Sequence, residues 1–187
     1  MLRYALFGPA MLSQDIIDKV ATQLGRAPQG LERIAVWRGE NPAVIQVAPM
    51  VRRQPFPTLF WLVDPVMSLA IDRIEAAGQI SELQVQVDNS VEIRAQMVVD
   101  HDRHRRLRDQ LLTPEQRAAI VENGFEPVFE QRGVGGIAAQ DRIRCLHTWI
   151  AAHLVRPNVI GQLSEPLIDP SVFLGLELDS EFLTLGE

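Results

Sequence analysis

The chain lacks the short motifs of several common enzyme classes. Its 187 residues contain no G-x-S-x-G nucleophile elbow, no G-x-x-x-x-G-K-[ST] phosphate loop and no H-E-x-x-H helix. These absences argue against an α/β-type serine hydrolase, a P-loop nucleotidase and a zinc protease of that class. Cysteine is also scarce, because Cys145 is the only one. A single cysteine excludes an intramolecular disulfide and fits a reducing cytoplasm.

Long hydrophobic runs are missing as well. The amino-terminal apolar run, Tyr4 to Leu12, is interrupted by Gly8 and Pro9, whereas a membrane-spanning helix needs about 20 apolar residues. The run also lacks the charged region and the cleavage site of a signal peptide. The sequence therefore predicts a cytoplasmic protein without a membrane partner.

Net charge is missing from most of the chain. Residues 1–163 hold all 18 Lys and Arg and 18 of the 24 Asp and Glu, so this segment is neutral. Because nucleic-acid-binding domains usually present a basic face, we expect no nucleic-acid partner. The formal charge of −6 lies in residues 164–187, where leucines alternate with polar or small residues from Leu174 to Asp179. This acidic tail has the pattern of an edge strand or of a segment that docks on a protein partner.

The rest of the chain has the patterning of one α+β domain over residues 1–163. We expect a small, mostly antiparallel sheet of three or four strands packed by about five helices. The predicted strands are Glu32–Trp37 and Ala43–Ala48 as a hairpin, Thr58–Val63 as a central strand, and Glu126–Gln131. The predicted helices run from Ser13 to Gly25, from Pro65 to Gly78, from Ile80 to Leu112 with a break at Asn89–Ser90, from Thr113 to Asn123, and from Asp141 to Val155.

A glycine-rich segment precedes the last predicted helix. Gly133 to Ala138 fits the dinucleotide-binding pattern G-x-G-x-x-A, but the parallel βαβ unit and the acidic residue of that fold are missing. Gly135 and Gly136 could instead form a turn that lets the helix pack closely, or a loop whose N–H groups hold a small anion.

The most reactive side chains lie in Cys145-Leu146-His147, with His153 further on. On one continuous helix, residues 145 and 147 point about 200° apart, so they could not share a metal ion unless the helix were broken. Cys145 could be a mildly activated thiol or a buried small hydrophobe. Either histidine could carry a proton at neutral pH. His101 and His104 could share a metal with Asp100, but the surrounding arginines would repel a cation.

Four segments together resemble one bacterial family. They are Gln23–Gly30 (QLGRAPQG), Pro55–Leu62 (PFPTLFWL), Gly133–Ile137 (GVGGI) and Arg144–His147 (RCLH). In this order they resemble domain-of-unknown-function family 501 over roughly Asp15 to Gly161. The resemblance implies a cytosolic bacterial protein with no assigned reaction.

The chain departs from the pattern of these relatives. Relatives commonly carry Cys-Pro-Cys-Gly in the first hairpin and a further cysteine after the PFPTLFWL segment, which would resemble a metal site. Here Trp37–Glu40 and Asp64 occupy those places. A site of that kind is therefore lost, unless Asp64, Cys145 and His147 remain as three ligands.

Three hypotheses follow. The first is a non-catalytic binding or adaptor module, with a protein partner for the tail. The second is a small-ligand-binding protein or an enzyme. Its pocket would lie between the strand entrance at Thr58, the turn at Gly135 and Gly136, and the segment from Cys145 to His147. The third is a remnant zinc site. The sequence indicates no particular cofactor.

Overall fold

A computed structural model describes the chain from Leu12 to Leu185. Tyr4 to Met11 of the predicted apolar run, and Glu187 of the tail, lie outside the described residues. Within them, none of the helices is long and apolar enough to cross a membrane.

The described residues form an α+β fold with nine α-helices and two small sheets, as predicted from the patterning. The strands are β1 Leu31–Arg38, β2 Asn41–Val47, β3 Met50–Val51, β4 Gln54–Pro55, β5 Phe60–Leu62 and β6 Leu176–Leu178. The helices are α1 Gln14–Leu24, α2 Pro65–Ala76, α3 Gln79–Asn89, α4 Val91–Leu111, α5 Pro114–Glu122, α6 Glu126–Gln131, α7 Leu146–Val155, α8 Val159–Ser164 and α9 Ser180–Leu183.

The main sheet is antiparallel, with strand order β5-β2-β1-β6, and it buries both of its faces. On one face the pair Ile34 and Ile45 packs in a cluster with Val20 of α1. On the other face Val36 and Val44 belong to the larger core with Trp149 of α7. Along β2 this follows from the alternation of side chains, which turns Val44 and Ile45 to opposite faces. Along β1 the two residues are two positions apart, and they reach different faces because the pairing register shifts between Ile34 and Val36.

Helix α7 lies in the centre of the larger core. Leu146, Trp149, Ile150 and Ala151 are fully buried, and the helix packs against β5, α8, α2 and β1. A helix that is apolar on most sides is buried rather than amphipathic. The first turn of α7 begins at the edge of this core, and so Cys145 and His147 lie at that edge.

Local end signals confirm several predicted boundaries. The Ser13 side chain accepts the N–H of Ile16, and Gly25 ends α1 in the left-handed conformation. Ser90 separates α3 from α4, and its side chain caps the amino terminus of α4. Thr113 and Gln116 form the predicted capping box of α5.

Three predicted elements were wrong. Glu126–Gln131 is helix α6, because Pro127 suits the first turn of a helix and Phe129 is buried there. The last long helix starts at Leu146 rather than at Asp141. The predicted central strand Thr58–Val63 is reduced to β5 at a sheet edge, where α7 packs against it.

Candidate functional site

Two carboxylates and the Cys-Leu-His segment meet where the end of α2 approaches the start of α7. Asp72 and Glu75 are three residues apart near the carboxyl end of α2, and so they share one face of that helix. Cys145 precedes the first turn of α7 in an extended conformation (φ −157°, ψ 126°). The extended backbone lets its side chain turn towards His147.

Distances within this group are short. Sγ of Cys145 lies 3.6 Å from Nδ1 of His147, and Oε1 of Glu75 lies 3.4 Å from the same nitrogen. The Leu146 N–H donates to Oε1 of Glu75 at 2.6 Å, which fixes the carboxylate at the amino terminus of α7. On the other side of the imidazole, Nε2 lies 3.4 Å from Oδ1 of Asp72.

The environment favours positive charge on His147. The pKa of His147 is raised to about 9, chiefly by the hydrogen bond with Cys145. Burial acts in the opposite direction, and electrostatic attraction by Cys145, Glu75 and Asp72 adds to the rise. At neutral pH this imidazole therefore carries a proton, and a metal ion bound at Nδ1 would have to displace it.

One sulfur, one nitrogen and one oxygen atom lie close together in this group. The ligand atoms of Glu75, Cys145 and His147 all lie within 4.8 Å of one another. A tetrahedral zinc ion with bonds of about 2.0–2.3 Å holds its ligand atoms about 3.3–3.8 Å apart. The two measured separations from Nδ1 fall in this range, so the three side chains can bind such an ion with small adjustments.

The start of α7 removes the geometric objection to a shared ion. That objection assumed one continuous helix through Cys145 and His147, but the helix begins between them, at Leu146. Thr148 supports the turn by donating its hydroxyl hydrogen bond to the carbonyl of Cys145.

Asp64 is not brought to this cluster. It lies at the amino end of α2, about 16 Å from Glu75 along the helix axis at about 1.5 Å per residue. Its buried carboxylate accepts the N–H of Met67 and pairs with Arg38, whose Nε is 2.7 Å from Oδ2. Arg38 and Asp64 stand at the two places where the relatives were expected to carry cysteines, and here they form an ion pair.

Thr58 and the glycine turn do come together, next to the cluster. A Cβ at Gly136 would lie 3.1 Å from the Thr58 hydroxyl, and one at Gly135 would lie 2.6 Å from that of Thr148. Residues 134–136 form a short 3-10 turn rather than an open loop. The two glycines allow the turn to pack closely against Thr58 on one side and against α7 on the other. This agrees with the interpretation of the segment as a turn that lets the helix pack closely.

His153 lies deep in α7 and contacts other groups. Its Nδ1 accepts the N–H of Asn158 at 3.0 Å, and its Nε2 lies 2.9 Å from Oε1 of Glu165. His101 and His104 are buried in α4; Nδ1 of His101 accepts the N–H of Val134. The side chains of these three histidines face the core and the α7–α8 turn.

Sequence reasoning missed the two residues of α2. Asp72 and Glu75 carry the i, i+3 spacing of carboxylates on one helix face, which is the only local signal for them. Glu75 precedes Cys145 by seventy residues in the chain, so the fold alone pairs them.

Comparison with known protein families gives a match. The family model described as "Protein of unknown function (DUF501)" matches residues 34–165, more than two thirds of the chain. The matched segment includes Asp72, Glu75, Cys145 and His147. No curated protein and no solved structure matches the chain.

Proposed function

The chain belongs to the DUF501 family, whose function is unknown, and from that premise we propose that it is a metal-binding protein. The proposed cation is a divalent transition metal of the zinc class, held by Glu75, Cys145 and His147. The observation that carries this proposal is the convergence of three ligand atoms of different type within 4.8 Å.

Donor chemistry favours zinc over the hard cations. Calcium and magnesium take oxygen ligands, whereas a thiolate and an imidazole suit zinc and its neighbours in the first transition series. The carboxylate of Glu75 is also a normal zinc ligand. The site would therefore select against the abundant Mg²⁺ by ligand type.

Asp72 supplies the outer support that such sites use. A metal-bound histidine usually donates its second ring N–H to a carboxylate, which fixes the tautomer and orients the ring. With Nδ1 turned to Cys145 and Glu75, Nε2 is free to donate to Asp72 at 3.4 Å. The proposal thus gives each nitrogen of His147 a defined role.

Three protein ligands leave a fourth position for water or for a small ligand. Structural zinc sites usually have four protein ligands, whereas catalytic sites have three and keep one position open. The side chains of Glu75 and His147 are about one quarter exposed, so solvent reaches the cluster. We place the proposed metal in the open class, where it could polarise a bound carbonyl or a water molecule.

The enzyme pocket predicted at Cys145 has less support. A groove of about 480 Å³ lies between α4, α5 and α6 and is lined by Arg105, Arg117 and Phe129. Neither Cys145 nor His147 lines it. Metal binding at a partly exposed cluster does not need an enclosing cleft, and so it fits the observed geometry better.

Cobalt substitution tests the proposal directly. Untagged protein is equilibrated with Co²⁺ or Zn²⁺, and the bound metal is measured by elemental analysis and by absorption spectroscopy. We expect one ion per chain and a thiolate-to-cobalt charge-transfer band. Cys145→Ser and His147→Gln should abolish the band and weaken binding by about 100-fold or more, and Asp72→Asn should weaken it by about 10- to 100-fold while the band remains.

The matched control is Glu82→Gln, which removes an exposed carboxylate from the neighbouring helix α3. It should bind metal as the unmodified protein does. Stoichiometric binding that survives both Cys145→Ser and His147→Gln, or the lack of any stoichiometric binding, would contradict the proposal. Circular dichroism of each variant separates loss of ligand from loss of fold.

A further inference from the structure

A two-residue turn in the second sheet is built from an unusual pair of residues. Arg52 and Arg53 connect β3 to β4, and both have positive φ, 51° and 62°. A hairpin turn with two positive φ angles is normally made by Asn-Gly or a similar pair, because a Cβ is sterically costly in this region. They are the only non-glycine residues with positive φ in the described chain. Arginine therefore occupies these positions at a cost to the stability of the backbone.

The surrounding sequence leaves the two arginines without local counter-charges. Between Glu40 and Asp64 they are the only charged residues, and between Lys19 and Glu32 the only one is Arg26. All three arginines are exposed, and none has a carboxylate within salt-bridge distance among the described residues. We call these three residues the basic patch.

Packing places the neighbours of the basic patch, Val51, Phe56 and Trp61, against the same face of the main sheet. The Arg26 guanidinium lies 5.3 Å from the centre of the Trp61 ring, which contacts the Phe56 ring edge-on at 5.4 Å. Phe56 follows the hairpin directly, and its N–H donates to the carbonyl of Pro49. On the other side of the hairpin, Val51 packs against Gly30, where a Cβ would come within 2.9 Å.

The size of the basic patch favours a short acidic peptide over a nucleic acid. A nucleic-acid-binding protein neutralises phosphates with its Lys and Arg side chains, whereas only three guanidinium groups make up this patch, on a chain with a net charge of −6. Arg26 lies over one face of the Trp61 ring and Phe56 contacts the ring at an angle, so the ring already packs within the fold. Guanidinium groups bind carboxylates in a bidentate manner, which suits an acidic segment.

We propose that the basic patch, Arg26, Arg52 and Arg53, is a docking surface for an acidic segment of a partner protein. The backbone cost of the hairpin turn is retained because the turn exposes two consecutive arginines to a partner. This site lies on a different part of the fold from the proposed metal centre, and neither proposal depends on the other.

One pair of substitutions separates binding from stability. Arg52→Asn combined with Arg53→Gly supplies the residues that the turn favours and removes both charges. We expect its melting temperature to rise by roughly 2–6 °C. Its affinity for a fluorescein-labelled peptide of eight alternating aspartates and glutamates, measured by fluorescence anisotropy, should fall about tenfold or more. Arg26→Gln should weaken the same binding, and the affinity of the unmodified protein should fall with added salt.

The matched control is Arg106→Asn combined with Arg142→Gly, which removes two exposed arginines, one from α4 and one from the segment before α7. It should bind the peptide as tightly as the unmodified protein does. Unchanged peptide binding by the Arg52 and Arg53 variant would overturn the proposal, and a fall in its melting temperature would overturn the argument from strain. Binding of single-stranded oligothymidylate or of anionic lipid vesicles that is tighter than peptide binding, and lost in the variant, would reject an acidic peptide as the partner.

Discussion

At the scale of single residues, glycines set how closely buried rings approach the backbone. Gly161 lies in α8, and a Cβ there would fall 2.1 Å from Cγ of His153. The same imidazole accepts the N–H of Asn158 and lies 2.9 Å from Glu165. His153 is thus held between α7, α8 and the residues that follow, and the absence of a side chain at position 161 makes room for it.

We predict that Gly161→Ala destabilises the protein. Alanine normally stabilises a helix relative to glycine by roughly 0.5–1 kcal/mol, but here the added methyl group overlaps a buried ring. The free energy of unfolding, measured in urea, should fall by about 1–3 kcal/mol. Gly25→Ala is the control, because a Cβ at Gly25 would meet nothing within 4 Å. Any loss of stability in this variant comes only from the backbone φ of 66°. A more stable Gly161→Ala variant would contradict the packing described.

At the scale of elements, α4 buries a polar stripe. Met97, His101, His104, Arg108 and Leu111 are all buried, and their spacing follows one face of the helix. Arg108 donates to the backbone carbonyls of Pro57, Arg132 and Phe129 instead of to a carboxylate. A charge-rich helix therefore turns its histidines and one arginine to the interior, and exposes other arginines.

From these buried histidines we predict that mild acid lowers the free energy of unfolding. Burial lowers the pKa of His101 to about 4 and that of His104 to about 3, with nearby arginines acting in the same direction. In the unfolded chain both would titrate near 6.5. The contribution of the neutral histidines to the stability of the fold is fully present above about pH 6.5. It is lost as the pH falls towards 4, because the unfolded chain then binds more protons than the folded chain does.

Urea unfolding at pH 7 and at pH 5 measures this effect. The free energy of unfolding should fall by an amount on the order of 2 kcal/mol for each histidine. His104→Leu should reduce the difference between the two pH values, even if it changes stability at pH 7. Equal stability of the unmodified protein at the two pH values would show that these histidines do not stay neutral in the fold.

At the scale of the whole molecule, the acidic tail packs on its own chain. Strand β6 extends the main sheet next to β1, and Phe182 is buried against Phe60 with ring centres 5.9 Å apart. Arg156 donates to the carbonyls of Phe182 and Leu185, and Trp37 donates to Asp179 at 2.8 Å. The tail thus places its carboxylates and carbonyls next to donors of the neutral body. A protein partner for the tail stays a prediction, and this partner would meet the tail in its packed form.

We predict that the tail contributes to the stability of the whole domain. Phe182→Ala should lower the free energy of unfolding by about 3–5 kcal/mol, the usual cost of removing a buried aromatic side chain. Leu183→Ala is the matched control, since Leu183 is 66% exposed, and it should change stability by less than about 0.5 kcal/mol. Similar effects of the two substitutions in calorimetry would mean that the tail is not part of the cooperative fold.

The sequence by itself determined the features that depend on neighbours a few residues away. The caps at Ser13 and Thr113, the break at Ser90 and the hairpin of β1 and β2 were predictable, because hydrogen bonds and turn geometry within about four residues specify them. The alternating leucines likewise predicted the strand that the structure places at the sheet edge.

Only the tertiary structure decided which distant residues meet. It moved Thr58–Val63 to a sheet edge, made Glu126–Gln131 helical and started α7 after Cys145. It also paired Glu75 with Cys145 and His147, and Arg38 with Asp64. The physical reason is that such contacts depend on how helices and strands pack, and a pattern that repeats within one element carries no information about its partner across the core.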